Sequence, residues 1–169
     1  SIMRPGDCGT PVTLEVALAR DGGSLSSRRV VASQEGRIIL VSSMSFHIPE
    51  GGDDWEPEMP RVAGPDGLRT QRDINLENDF FWPEFQITDG LDWDVRYVEP
   101  VDWHNPRPRD GLLHVWLKTT ETIGNTRGLH EALLSYISDC GLVDATLLPH
   151  GRSFHKGMQT ASLDHAMWF

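Results

Sequence analysis

Cysteine, long apolar runs and positive charge are all in short supply in this chain. Of its 169 residues only Cys8 and Cys140 are cysteines. Two thiols so far apart build no disulfide scaffold, and neither stands in a Cys-x-x-Cys or zinc-type pair. They read as reduced thiols in a cytosolic protein. Apolar runs such as Ile38-Ile39-Leu40-Val41 stop at four residues, far short of the ~18 that cross a bilayer. Lysine and arginine number 15 against 25 aspartates and glutamates, a formal net charge of −10. Such a balance argues against a nucleic-acid partner, which needs a basic footprint, and against an anionic membrane surface.

What is present is organised in two parts. Val12, Leu14, Val16 and Leu18 alternate with Thr13, Glu15 and Ala17, the period of a half-buried strand. Arg20-Asp21-Gly22-Gly23 and Glu35-Gly36 are turn signals. Residues 12–46 therefore read as a three-stranded antiparallel meander, with Ile38, Leu40, Met44 and Phe46 on one face of the last strand. Eight prolines and glycines between Pro49 and Gly67 exclude regular structure there, and Asp53, Asp54, Glu56 and Glu58 keep the segment solvated. Residues 74–91 hold an aromatic group, Phe80, Phe81, Trp82 and Phe85, read as packing between the parts rather than as the lining of a ligand tunnel.

The second part begins near Asp92. Trp93–Val98 and Leu112–Lys118 read as strands joined by the proline-stiffened Asp102–Arg109 connection. Leu129, Ala132, Leu133, Tyr136, Ile137 and Cys140 form a helical stripe, and Gly141 is a natural stop. The expectation is a well-wrapped helix near 127–140. Met158–Phe169 alternates again and reads as a closing strand. It carries Asp164 amid apolar neighbours, and burying a carboxylate there is costly unless it is hydrogen-bonded or has a task. Helix plus antiparallel strands implies an α+β fold.

Several short patterns, in order, resemble one family. They are Arg4-Pro5-Gly6-Asp7; Arg20-Asp21-Gly22 with Ser24, Ser27, Arg28, Arg29 and Val30; Gln34-x-Gly36; Ser45-Phe46; Met59-Pro60 with Gly64-Pro65-Asp66-Gly67-Leu68; Pro149-His150-Gly151; and Gln159-x-Ala161-Ser162-Leu163-Asp164-His165-Ala166-Met167-Trp168-Phe169. Together the chain is similar to the acyl-CoA thioesterase II (TesB-like) family. The resemblance implies a double hotdog, an antiparallel sheet wrapped around a helix in each half, here truncated at both ends. On it, residues 1–48 form a partial N-terminal hotdog of strands only, 49–91 a linker, and 92–169 a partial C-terminal hotdog. The implied activity is hydrolysis of fatty acyl-CoA to fatty acid and coenzyme A. The implied catalytic set is an Asp, a Ser or Thr, and a Gln that hold a water; Asp164 matches the first, and the others have no counterpart here. No cofactor is implied, since coenzyme A is part of the substrate. Self-association through open hotdog sheet edges is expected.

In that chemistry Asp164 activates water, and free N–H groups at a helix start, Gly128 and Leu129, polarise the carbonyl. His165 faces away from Asp164 by alternation. His150, His155 and His165 fit no compact metal pattern. Arg28 and Arg29 point to opposite faces, so at most one contacts coenzyme A phosphates, and solvated or ion-paired roles are favoured for both. Asp102-x-x-Asn105-Pro106 only faintly resembles a hotdog hydratase motif, with no His following. The competing non-enzyme reading is a hotdog fragment that binds acyl chains or pairs with a subunit.

Overall fold

A computed structural model describes residues 1–77, 92–139, 141–154 and 157–169. The aromatic group Phe80, Phe81, Trp82 and Phe85, together with Cys140 and His155, lies outside them. The chain divides into two units. Unit 1 comprises Ser1–Glu58 with Ala161–Trp168, and unit 2 comprises Met59–Thr160 with Phe169.

Unit 1 is an antiparallel sheet in the order β1 (Thr13–Asp21), β2 (Leu25–Gln34), β3 (Arg37–His47). The β2–β3 turn uses Glu35 at φ 49 and Gly36 at φ 75. Two successive positive φ values make the tight hairpin whose twist matches its strands. In register, Leu14 pairs with Ala32 and Val16 with Val30, and these continue to Leu40 and Ser42 on β3. The pairing slips between Ala32 and Ser33, where Ile39 is the extra residue. Ile38 thereby pairs with Ser33 and leaves the row of Leu40, Met44 and Phe46. An uninterrupted alternation had placed it with them; a bulge breaks the period of two.

The sheet continues past β3 through the first residues of the chain. Ser1 exchanges backbone hydrogen bonds with Val41, its N–H to the Val41 carbonyl at 2.8 Å and the Val41 N–H to its own carbonyl at 3.0 Å. Met3 N–H donates to the Ile39 carbonyl at 2.8 Å. Gln34, 9% exposed, fastens the loop that follows. Its Oε1 accepts from the Asp7 N–H at 2.8 Å, and its Nε2 donates to the Asp7 and Thr10 carbonyls, each at 2.7 Å. The Asp7 carboxylate in turn accepts from the Gly9 N–H and the Thr10 hydroxyl. These bonds, the Gly9 one foremost, hold its carboxyl below the ordinary range.

Unit 2 pairs β4 (Trp93–Tyr97) with β5 (Val115–Thr119) antiparallel. The segment before it is less free than its prolines suggest. Arg96 donates to the Pro65 and Leu68 carbonyls and the Trp116 indole N–H to the Ala63 carbonyl. A short helix α1 (Gln71–Glu77) follows, inside the stretch read as linker. Its start was legible: no proline follows Pro65 before it, and the Thr70 hydroxyl accepts the Asp73 N–H at 3.0 Å, an N-cap.

Helix α2 spans Arg127–Ile137, where a helix was expected. It is not wrapped: Ile137 is buried, but Leu129, Leu134 and Tyr136 are 42–50% exposed. Two strands of five residues are too narrow to enclose a three-turn helix. Helix α3 (Leu142–Leu147) and a 3-10 turn, Leu148–His150, come next. Leu147 and Leu148 are buried there, and among the described residues Val95, Tyr97 and Trp103 are the other buried apolar side chains of this unit besides Ile137. Arg109 N–H donates to the Leu148 carbonyl. Gly151 is required: at φ 56 it is left-handed, and a Cβ would lie 2.7 Å from Pro108 Cδ.

Candidate functional site

The site residue named from sequence, Asp164, belongs to unit 1. It is reached through three layers of backbone. Strand β3 carries residues 1–3 on its edge, and on their far side the Ile2 N–H donates to the Leu163 carbonyl at 2.7 Å. Asp164 follows, and its Oδ1 accepts a hydrogen bond from the Ser1 hydroxyl. Residues 158–169 are not a strand in the structure, and the Asp164 side chain is 77% exposed. The expectation of a carboxylate buried in a closing strand is thereby corrected. Alternation assigns faces, but a strand needs a ladder, and residues 158–169 form none in the structure. The same carboxylate oxygen, Oδ1, lies 3.7 Å from the Ser1 amino group.

The face on which Asp164 sits follows from the register. Ser1 lies opposite Val41, so their side chains share a face, and Val41 pairs with Val31 and Val31 with Glu15. The next row on that face is Ala17, Arg29 and Ser43, and beyond it come Ser27 and Ser45. The opposite face carries the apolar rows and Arg28.

The arginine doublet is thus divided. Arg28 ion-pairs with Asp21 at 2.5 Å and donates to the Arg20 and Ser27 carbonyls, which pins the β1–β2 turn. The Arg29 side chain is exposed and has no hydrogen bond or ion pair among the described residues. Of the backbone donors considered at the helix start, Leu129 N–H is engaged by the Thr126 carbonyl at 2.9 Å, and Gly128 N–H has no partner among the described residues. No group of three or more His, Cys, Asp or Glu is placed to hold a metal ion among the described residues.

Unit 2 concentrates its charge pairs around β4 and β5. Glu99 accepts from the His114 N–H at 2.9 Å and meets its Nδ1 at 2.7 Å. Asp94 binds the Arg96 guanidinium through both oxygens at 2.8–2.9 Å. The Glu99–His114 pair joins a residue just past β4 to the residue before β5, whereas the Asp94–Arg96 pair lies within β4. The sequence offered no signal for the Glu99–His114 pair, whose members are brought together only by strand pairing.

Residues 89–169 match the acyl-CoA thioesterase family, and residues 1–47 match its N-terminal domain. The chain belongs to the acyl-CoA thioesterase family. It is 28% identical over 99% of its length to acyl-CoA thioesterase 2 of Haemophilus influenzae, of which it covers 60%. Its structure is similar to the crystal structure of an acyl-CoA thioesterase II, TesB2, from Mycobacterium marinum. That likeness has a TM-score of 0.63 and 27% identity, over 88% of this chain and 51% of the other. A conserved protein of unknown function with a hot dog fold from Alicyclobacillus acidocaldarius matches at TM-score 0.58 and 16% identity, over 82% of this chain and 47% of that one. The fold is α+β hotdog, as the sequence patterns implied. The chain spans between about half and three-fifths of the length of the relatives it matches.

Proposed function

We propose that this chain supplies part of a hydrolase that cleaves fatty acyl-CoA into fatty acid and coenzyme A. The observation that carries this reading is the likeness to acyl-CoA thioesterase 2 along 99% of the chain. In the proposed reaction, the Asp164 carboxylate accepts a proton from a water as that water's oxygen attacks the thioester carbonyl carbon. The tetrahedral adduct collapses with cleavage of the C–S bond. The thiolate of coenzyme A leaves and takes up a proton. Exposure of Asp164 beside the Ser1 hydroxyl supports the role, since a base must meet both water and substrate. Water and acyl-CoA suffice, with no cofactor in any step.

Release of free coenzyme A thiol from a fatty acyl-CoA, followed with a thiol reagent, tests the reading. Asp164→Asn keeps the shape and removes the base, and turnover should drop by about 10²-fold or more. Undiminished turnover removes Asp164 from the mechanism.

The domain reading proposed is a partial N-terminal hotdog (1–48), a connecting segment (49–91) and a partial C-terminal hotdog (92–169). The partner proposed, besides substrate, is a second copy of the chain. Strand β1 pairs only with β2 among the described residues, and its nine residues are exposed, a template for edge pairing. Light scattering should give a mass that rises with concentration, and Val16→Lys on that strand should lower it; a monomer at every concentration overturns this. A cytoplasmic compartment is inferred from the scarcity of cysteine, with the free, exposed thiol of Cys8 in support; for a eukaryotic source the compartment proposed is the peroxisome. No helix of the described residues is long and apolar enough to cross a membrane.

A further inference from the structure

We propose that Arg29 binds a phosphate group of coenzyme A on the serine-bearing face of the unit 1 sheet, with the thioester end of the same molecule at Asp164. The inference rests on the acyl-CoA reading above and adds to it the place where the nucleotide end is held. Three observations lead to it. Arg28 is committed to Asp21 and to two carbonyls on the other face, which leaves Arg29 as the uncommitted member of the doublet. Arg29 stands directly opposite Ser43, and Ser27 and Ser45 form the next row on its face, so a guanidinium fork and hydroxyl donors converge on one surface. A guanidinium presents paired N–H groups that fit phosphate oxygens, and hydroxyls add donors beside it. Finally, the register puts Asp164 on that same face, joined to Ser1 in the row of Val41 and Val31.

The separation suits the ligand. From β2 to the Leu163 segment is three strand spacings, and Arg29 is one same-face row away, so the two groups are roughly 16 Å apart at ~4.8 Å per strand and ~3.3 Å per residue. The pantetheine arm between a thioester and the pyrophosphate has about as many backbone bonds as four residues, roughly 14 Å when extended. One molecule can therefore reach both. The carboxylate nearest Arg29 in register is Glu15, one row away on β1. It makes no ion pair with Arg29 and opposes phosphate binding.

The test is equilibrium binding of coenzyme A and of pantetheine, which lacks the phosphates, to the protein and to Arg29→Gln, with Arg37→Gln as a control of equal charge change. Coenzyme A should bind more tightly than pantetheine, by a margin that shrinks as salt rises. Arg29→Gln should weaken coenzyme A about tenfold and leave pantetheine unchanged, while Arg37→Gln changes neither and Glu15→Gln strengthens coenzyme A. Equal loss of both ligands in Arg29→Gln, or coenzyme A binding as tight as in the unsubstituted protein, overturns the proposal. Hydrolysis of an acyl N-acetylcysteamine thioester, measured alongside, separates the two readings. Its hydrolysis with coenzyme A affinity unmoved by Arg29→Gln sinks the phosphate site alone. Selective loss of coenzyme A with no hydrolysis of either thioester keeps the phosphate site and sinks the hydrolase.

Discussion

In unit 1 three strands of nine to eleven residues share long antiparallel ladders, yet Ala32 and Gln34 are its buried residues. Unit 2 has one five-residue strand pair and holds the larger buried set, from Val95 and Trp103 to Ile137 and Leu148. One unit is ordered by backbone hydrogen bonds and the other by side-chain burial. Ladders define register and faces with little core, which suits a surface that presents Asp164 and Arg29. Burial defines a compact core whose connections need little regular structure.

The largest effect that would break this contrast is expected at Leu148, which is 1% exposed. Leu148→Ala should cost about 2–5 kcal/mol of unit 2 stability, the range for removing a buried leucine side chain, read as a lowered urea midpoint. A negligible cost would mean that unit 2 is not held by its core.

Gln34→Ala should cost about 1–3 kcal/mol, because it leaves the Asp7 N–H and two carbonyls without their partner. Amide exchange should accelerate at residues 5–10 while the β2–β3 ladder stays protected. Acceleration along the whole ladder would show that unit 1 also unfolds through its side chains.

The smallest expected difference is in acid sensitivity. The Arg96 guanidinium beside Asp94 holds that carboxyl below its ordinary value. Burial pushes the Glu99 carboxyl up, but the His114 N–H and ring more than offset this, and it too lies low. The Asn105 N–H does the same for Asp102. A carboxylate lowered in the folded state gives stability that is full above its unfolded pKa, about 4, and fades as pH falls through the folded value. Unit 2 should therefore lose more stability than unit 1 between pH 5 and pH 3, though Asp7 gives unit 1 one carboxylate of this kind. Glu99→Gln should flatten part of the slope; an unchanged slope would discard the Glu99–His114 brace as a contributor.

Much of unit 1 was legible because alternation and turn chemistry are local. Leu14 to Leu18, Glu35-Gly36 and the run from Arg37 to Phe46 gave three strands close to their observed ends. The Ile39 bulge was not legible, since an extra residue among four consecutive apolar ones leaves no mark in the pattern. The helix near 127–140 was visible from its stripe, whereas its exposure was not, because a stripe says which side seeks cover and not whether cover arrives. Asp164 was found from its neighbours in sequence, and its exposure and its contact with Ser1 were not.

The sequence by itself determined the three strands of unit 1 and the helix near 127–140, which carboxylate stands in the middle of the chain's most distinctive segment, and that a scarcity of positive charge narrows the partners. Those properties depend on residues within a few positions of one another. Only the tertiary structure decided which of two adjacent arginines is committed, that Ser1 meets a residue 163 positions away, and that Asp164 and Arg29 share one face. Such facts follow from strand pairing, and register is a relation between distant segments that no local pattern contains.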